Sequence, residues 1–292
     1  EKEERVQKRD RHNLPQHPEA PMISAADGNL RDVSALGRIT QPLAPQTVGT
    51  SFTAATLSGT NPTLSFPPDN MGAVGPTQFV AFENGRLVTF NKTTGVADGV
   101  LNVDPDVFFA SVVNGSSTSD PRIRYDRLSG RWILIIINVS TPNRVLFAVS
   151  DAASAGVITG STVWTYFFFD ISTLGLASTC LADYPTLGVD ANALYIGTNN
   201  FCGSPSQTFN GTSGFVVRKS SVLGAGPIVV TAFNGLVASS SAAGPYTPQG
   251  VDNFDPAATE GYFIGVDNAA FGLLQLRRIS NPGGTPTVSA NI

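Results

Sequence analysis

Arginine and aspartate alternate with other residues along one short stretch of this chain. Arg122, Arg124 and Asp126 are separated by Ile123 and Tyr125, and alternate residues of an extended strand lie on one face. Two guanidinium groups on one face suit the binding of an anion such as a carboxylate. The same pattern is typical of a salt-bridge ladder in which Asp126 neutralises the arginines. These three are therefore the candidate ligand-binding residues, with the ladder as the structural alternative.

Aspartates shortly before prolines recur through the sequence. Asp104, Asp120 and Asp255 each precede a proline directly, and Asp183 precedes one by two positions. Aspartate accepts hydrogen bonds from turn amides and proline restricts φ, so a structural role explains the repetition. A subset could instead bind calcium, which takes several oxygen ligands, although the spacing matches no EF-hand. The candidate calcium ligands are Asp104, Asp106, Asp252, Asp255 and Asp267.

Histidine is confined to one end of the chain, where His12 and His17 are the only two. The rest of the sequence therefore lacks the residues for a Ser-His-Asp triad, a Cys-His pair or a histidine-based metal site. Glycoside hydrolysis uses carboxyl groups instead. Glu83 and Glu260 are acidic candidates, but no pattern places them near a partner. The sequence does not support catalysis.

The two cysteines, Cys180 and Cys202, are the only ones in the chain. Turn-rich segments beside both favour a disulfide, which would stabilise the fold by about 3 kcal/mol in the chain-entropy estimate. A disulfide also indicates an oxidising compartment, and hence a secreted or cell-surface protein. The alternative is two separate buried thiols.

The composition favours many short strands joined by tight turns. The chain of 292 residues is 41% hydrophobic and only 14% charged, with 29 glycines and 20 prolines. Roughly 25% charged residues is typical of soluble domains. The net charge of −4, with no basic stripe, argues against a nucleic-acid partner. No apolar run approaches the ~18 residues that a membrane-spanning helix requires.

The pattern divides the chain at about residue 60. Residues 1–60 are predicted to be a polar tail and linker, and residues 61–292 a β-propeller-like domain built from repeated units. Each unit has a turn with proline or glycine and then an apolar strand that ends near an asparagine. The turns are predicted at Gly75-Pro76, Asp120-Pro121, Asp183-Tyr184-Pro185 and Asp255-Pro256, and the strands carry the aromatic anchors Phe79, Trp132, Tyr195 and Phe263. Helical periodicity is absent beyond the tail, so the predicted class is all-β, a propeller first and a sandwich second.

Three motifs carry a family resemblance. They are PPDNMGAVGP at 67–76, DPRIRYDRLSGRW at 120–132 and DYP at 183–185. In this order they resemble a group of secreted bacterial β-propeller proteins that is distantly sialidase-like. The resemblance implies the fold and an extracellular location, but a propeller does not determine an activity. Four recognisable units are few for a closed propeller. We therefore expect either a small closed propeller or an incomplete array with an open sheet edge.

These features predict a non-enzymatic, secreted or cell-surface propeller that acts by binding or by extracellular assembly, as in a surface layer, a filament or an adhesin. Its predicted partners are further copies of itself, other extracellular proteins or glycans. The alternatives are a sialidase-like glycoside hydrolase and a calcium-dependent, lectin-like module.

Overall fold

The regular secondary structure of the described residues is almost entirely β-strand. The computed structural model describes residues 49–204, 207–270 and 272–292, which form four antiparallel sheets, here called blades. Blade 1 consists of β1 (Met71–Val74), β2 (Gln78–Glu83), β3 (Arg86–Asn91) and β4 (Ala97–Val103). Blade 2 consists of β5 (Thr118–Asp126), β6 (Arg131–Asn138), β7 (Arg144–Ser150) and β8 (Trp164–Asp170). Blade 3 consists of β9 (Leu181–Asp183), β10 (Gly188–Val189), β11 (Ala193–Cys202), β12 (Thr208–Arg218) and β13 (Val230–Val237). Blade 4 consists of β14 (Pro245–Gly250), β15 (Glu260–Asp267), β16 (Leu274–Ser280) and β17 (Thr287–Val288).

Among the residues that the structure describes, helical structure is limited to single turns in the connections. These are α1 (Pro105–Phe108), α2 (Lys219–Leu223) and a 3-10 turn at Ile171–Leu174. No helix in the described ranges is long and apolar enough to span a bilayer.

Each blade is a meander in which strands that follow one another in sequence pair side by side. The first strand of blade 3 is split, because β9 pairs with the end of β11 and β10 with its beginning. The first strands of successive blades are neighbours: β1 contacts β5, and β10 contacts both β5 and β14. The predicted all-β, propeller-like array is confirmed.

Strand β6 shows why the blades must stack. All but the first of its eight residues are buried, and its side chains alternate between two hydrophobic cores. Ile133, Ile135 and Ile137 belong to the core shared with blade 3, and Trp132, Leu134 and Ile136 to the core shared with blade 1. Burying one such side chain contributes roughly 1.5–3 kcal/mol. The apolar run predicts a strand covered on both faces, and the structure confirms it.

Blades 3 and 4 pack through aromatic rings and closely approaching backbones. The rings of Tyr195 and Phe263 meet edge to face with centroids 5.9 Å apart. Gly197 faces the backbone of Pro248 so closely that a Cβ atom there would lie 1.9 Å from the Pro248 carbonyl oxygen. Of the four predicted anchors, Trp132, Tyr195 and Phe263 are fully buried. Phe79 is half-buried and packs against Phe52 and Phe90 instead.

An X-Pro pair with positive φ at X interrupts the first strand of three blades. The pairs are Asp120-Pro121 in blade 2, Tyr184-Pro185 in blade 3 and Thr247-Pro248 in blade 4, with φ of 58°, 51° and 47° at the first residue. The register of β5 and β14 shifts at these points. The predicted turn at Asp255-Pro256 is present directly before β15, but in blade 4 the pair with positive φ is Thr247-Pro248 in the preceding strand. The recurring feature is the backbone conformation before proline, and an aspartate is not required for it.

Cys180 and Cys202 form the predicted disulfide. It joins the residue before β9 to the last residue of β11. The bond therefore fastens the split first strand of blade 3 to its neighbour.

Residues 49–66 cover the face of blade 1 that points away from blade 2. Phe52 packs on Phe90 with ring centroids 5.0 Å apart, and the Arg86 guanidinium donates to the Pro62 carbonyl at 2.7 and 3.0 Å. The predicted boundary at residue 60 falls inside this covering segment. Most of the predicted tail, residues 1–48, lies outside the described residues.

The close approach at Gly197 gives a test of the blade 3–blade 4 contact. We expect Gly197→Ala to destabilise the protein by about 1–3 kcal/mol, because the new methyl group collides with a backbone carbonyl that cannot rotate away. Gly160→Ala is the matched control, since a Cβ there meets nothing within 4 Å. Urea denaturation measures both variants. Equal stability of the two variants would contradict the described packing.

Candidate functional site

Three carboxyl groups from three consecutive blades meet at the inner edge of the array. Asp69 precedes β1, Asp120 lies in β5 and Asp183 ends β9; we call them the acid cluster. The carboxyl of Asp120 lies within hydrogen-bonding reach of those of both Asp69 and Asp183. Asp120 is buried and the other two are half-buried.

The acids converge because they occupy equivalent places in successive blades. Asp69 and Asp120 themselves have positive φ, at 46° and 58°, and Asp183 directly precedes Tyr184, at 51°. Aspartate tolerates the left-handed region better than most residues. Each of the three acids therefore lies at or next to a residue with positive φ. The stacking of the first strands brings their carboxyl groups together.

Asn84 links blade 1 to blade 2 within the cluster. Its Nδ2 donates to Asp69 Oδ2 at 2.6 Å, and its Oδ1 accepts from the Asp120 backbone N–H at 2.9 Å. The Tyr184 backbone N–H in turn donates to Asp120 Oδ2 at 3.1 Å. Asn199 repeats the device between blades 3 and 4, since its Oδ1 accepts from the Thr247 backbone N–H at 3.0 Å. Two of the asparagines at the ends of the predicted strands, Asn84 and Asn199, therefore join neighbouring blades.

Arg122 supplies the positive charge of the cluster. Its side chain is 4% exposed, and its charge interacts with Asp120 and Asp69. Nη1 donates to the Pro121 carbonyl at 2.7 Å, whereas the buried Nη2 has no hydrogen-bond partner among the described residues. The guanidinium carbon lies 4.4 Å from the ring centroid of Tyr184, which is 40% exposed. A buried donor and an exposed aromatic ring thus adjoin the three acids.

Burial and mutual repulsion raise the pKa values of two of the acids. Desolvation, followed by the charge of Asp120, raises the pKa of Asp183 to about 8 and that of Asp69 to about 6. Carboxyl groups in such contact share protons, because like charges this close cannot all ionise. At neutral pH the cluster therefore contains both a protonated carboxyl, which donates, and an ionised one, which accepts.

The structure separates the three residues predicted to bind an anion. Arg122 lies in the acid cluster, while Arg124 Nε contacts Asp252 Oδ2 at 2.8 Å. Asp126 is fully buried and pairs with Lys219 at 2.6 Å. The alternative ladder is therefore wrong, because each charge finds its partner on another blade or connection. Only Arg122 belongs to the candidate site.

The five candidate calcium ligands are likewise held apart. Asp104 caps α1 by accepting from the Asp106 backbone N–H at 2.9 Å. Asp252 and Asp255 lie in the connection before β15, whereas Asp267 ends that strand. Eight strand residues span roughly 25 Å. Within the described ranges, no group of three His, Cys, Asp or Glu residues has an arrangement that could hold a metal ion.

Sequence reasoning missed Asp69, Asp183 and Asn84 as site residues. Both acids were recognisable as parts of repeated motifs, at corresponding places in the first and third units. The signal in the sequence was that an aspartate recurs in each motif, and the capping of turn amides explained that recurrence equally well. Only the stacking of the blades shows that these aspartates form a cluster and are not separate turn residues.

Comparisons with known proteins place no family name on the chain. No family model matches it, and no curated protein matches it. Among solved structures, it is similar to a thermostable family-43 glycoside hydrolase, with 12% identity over 75% of this chain and 73% of that one and a TM-score of 0.39. It is also similar to the catalytic domain of the Coprinopsis cinerea GH62 α-L-arabinofuranosidase, with 11% identity, 77% and 68% coverage and a TM-score of 0.35. A Synechocystis apocarotenoid oxygenase mutant gives 12% identity, 75% and 47% coverage and a TM-score of 0.40. At these values the likeness assigns neither substrate nor catalytic residues to this chain.

The raised pKa of Asp183 predicts that stability falls as pH rises. The unfolded chain loses this proton near pH 3.9, whereas the folded protein keeps it to about pH 8. The stabilising contribution is complete below pH 3.9 and is lost as the pH rises to about 8, by roughly 1.4 kcal/mol per pH unit for one proton. Urea denaturation at unit intervals between pH 5 and pH 9 measures the slope, which should be negative up to about pH 8 and vanish above it.

Asp183→Asn should flatten that slope, because the amide stays neutral at every pH. Asp255→Asn, on an exposed loop, is the matched control and should leave the slope of the wild type unchanged. A wild-type slope that survives in Asp183→Asn would show that another group binds the proton.

Proposed function

We propose that this protein is an extracellular β-propeller that binds a hydroxyl-rich glycan at the acid cluster and does not cleave it. The observation that carries the proposal is the convergence of three carboxyl groups, two of which interact with the buried Arg122, next to the exposed ring of Tyr184. The cluster combines an aromatic surface with a few polar groups. Binding sites for small ligands have this composition, because a few precisely placed polar groups fix the orientation of the ligand.

The hydrogen-bonding groups of the cluster match a sugar. Each hydroxyl of a glycan both donates and accepts. The half-buried carboxyls of Asp69 and Asp183 provide both functions, because an ionised carboxyl accepts and a protonated carboxyl donates. The Tyr184 ring offers an apolar face for the C–H bonds of a sugar ring, and Arg122 holds that ring in place. A ligand that could only accept or only donate hydrogen bonds would use only some of these groups.

The spacing of the acids supports binding without hydrolysis. Glycoside hydrolases place their two carboxyl groups on either side of the scissile bond, about 5–5.5 Å or 6.5–9.5 Å apart. Here Asp120 is within hydrogen-bonding reach of both of its neighbours. No gap for a glycosidic bond separates Asp120 from either.

An extracellular location is supported by the Cys180–Cys202 disulfide, since such bonds form and persist in oxidising compartments. The resemblance of the sequence motifs to secreted bacterial propellers supports the same compartment. Self-assembly, the other predicted activity, stays a prediction. Val266 and Leu274 on blade 4 are 38% and 66% exposed, so this apolar surface is the candidate contact between copies. Light scattering on the wild type and on Leu274→Glu tests whether the protein assembles through it.

Glycoside hydrolysis is the second candidate function. The observation in its favour is Asp183, a carboxyl with a pKa of about 8 next to a second acid. A pair of acids with separated pKa values is the usual basis of general acid–base catalysis. Turnover of a polysaccharide panel that disappears in both Asp183→Asn and Asp120→Asn would establish hydrolysis and overturn the binding proposal.

A glycan array followed by titration calorimetry tests binding. We expect Tyr184→Ala to weaken binding of the array hit by about tenfold or more, equivalent to ~1.4 kcal/mol. Phe168→Ala is the matched control, because the Phe168 ring resembles that of Tyr184 in exposure (37%) and in its contact with a guanidinium, that of Arg144 at 4.0 Å. Phe168 lies on β8, away from the acid cluster. A chelator should leave binding unchanged, because the protein's own groups form the site.

Two results would contradict the proposal. One is an array with no hit for the wild-type protein. The other is a hit whose affinity falls equally in Tyr184→Ala and Phe168→Ala, which would place the glycan elsewhere or attribute the loss to general destabilisation.

A further inference from the structure

A second pocket lies between blade 1 and the segment that covers it. It encloses about 300 Å³, the lower end of the range for small-molecule sites. Leu57 and Phe66 from the covering segment form apolar walls, Pro68 and Asn70 lie beside them, and Glu83 at the end of β2 supplies the one charged group. None of the residues that line the pocket belongs to the acid cluster.

The Glu83 carboxyl lies on the pocket without a partner among the described residues. The residue as a whole is 7% exposed, so the carboxyl meets solvent only through the pocket. Other buried acids differ: Asp126 pairs with Lys219 at 2.6 Å, and Asp190 accepts from the Tyr195 hydroxyl at 2.6 Å. Burial raises the pKa of Glu83. A desolvated carboxyl of this kind is stabilised by a proton or by a cation that enters the pocket.

The remaining polar groups of the pocket also favour a donor. The hydroxyl of Ser65 donates to the Thr63 carbonyl at 3.2 Å, and that of Thr63 to the Ser65 carbonyl at 3.5 Å. Their donors are therefore engaged within the chain, and their oxygen lone pairs can still accept. A group with several N–H donors and a positive charge complements Glu83 together with these hydroxyls.

The apolar walls of the pocket indicate the chemistry of the uncharged part of the ligand. The half-exposed side chains of Leu57 and Phe66 suit a short hydrocarbon, and an aromatic ring also attracts a nearby cation. We infer that the Glu83 pocket binds a primary alkylammonium group, with Glu83 as its counter-ion. Such a group can belong to a free small amine or to the side chain of a lysine, and the chemistry of recognition is the same.

Titration of the wild-type protein with n-butylammonium chloride, followed by NMR, tests the inference. We expect saturable shifts in the signals of blade 1 and the covering segment, with an affinity in the millimolar range that suits so small a ligand. n-Butanol has the same hydrocarbon without the charge, and should bind at least about tenfold more weakly. Equal binding of amine and alcohol would overturn the inference, as would the absence of any saturable shift.

Glu83→Gln identifies the counter-ion. It keeps the shape of the side chain and removes the charge, so amine binding should weaken by about tenfold or more while alcohol binding stays the same. Glu260→Gln is the matched control, because Glu260 lies on blade 4 beside Arg278. Undiminished amine binding in a folded Glu83→Gln variant would contradict the role of Glu83. The comparison of amine and alcohol on the wild type decides the question if that variant does not fold.

The binding of two short peptides shows whether the ammonium group belongs to a lysine side chain or to a free amine. A blocked Gly-Lys-Gly peptide should bind if the pocket accepts a lysine side chain, and its Nε-acetyl form should not, because acetylation removes the charge. Binding of n-butylammonium without binding of the lysine peptide would assign the pocket to free amines.

Discussion

The burial of the central strands on both faces is the constraint on which the rest of the structure depends. Strand β6 has apolar side chains on both of its sides, so it is stable only between two further sheets. That requirement stacks blades 1, 2 and 3 face to face and sets their first strands side by side. The acid cluster follows from the stacking. Hydrophobic burial, summed over many side chains, exceeds the repulsion among three acids brought together at the inner edge.

Strand β5 carries two acids that the fold treats in opposite ways. Asp126 is fully buried against Lys219, and Ser129 donates to the same carboxyl, so its hydrogen-bonding capacity is used within the chain. The Asp120 carboxyl instead lies beside those of Asp69 and Asp183, and it accepts from the Ser119 hydroxyl and from the Tyr184 backbone N–H of the next blade. The Asp126–Lys219 pair is structural, because removing either member would leave a buried charge. The acid cluster is closer to solvent and keeps groups that a ligand can use.

Blade 1 contributes to both sites through two adjacent residues. Asn84 lies in the turn that follows β2 and reaches Asp69 and the backbone of Asp120. Glu83, the last residue of β2, instead lines the pocket under the covering segment. The covering segment, residues 49–66, therefore has a second consequence besides shielding apolar side chains. It closes the pocket and removes water from Glu83, and the desolvated carboxyl is what gives the pocket its preference for a cation.

Local properties of the sequence determined the class of fold, because short apolar runs, prolines and glycines act on the chain nearby. Strand β6 and the Cys180–Cys202 disulfide were both predictable in this way. The partners of Arg124 and Asp126 were not, because strand alternation indicates a shared face and says nothing of which blade lies opposite. The positive φ at Thr247 was not predictable for a related reason, because no aspartate marks that backbone conformation. The acid cluster and the Glu83 pocket were decided by the tertiary structure alone, since each joins segments distant in sequence whose proximity depends on how the blades stack.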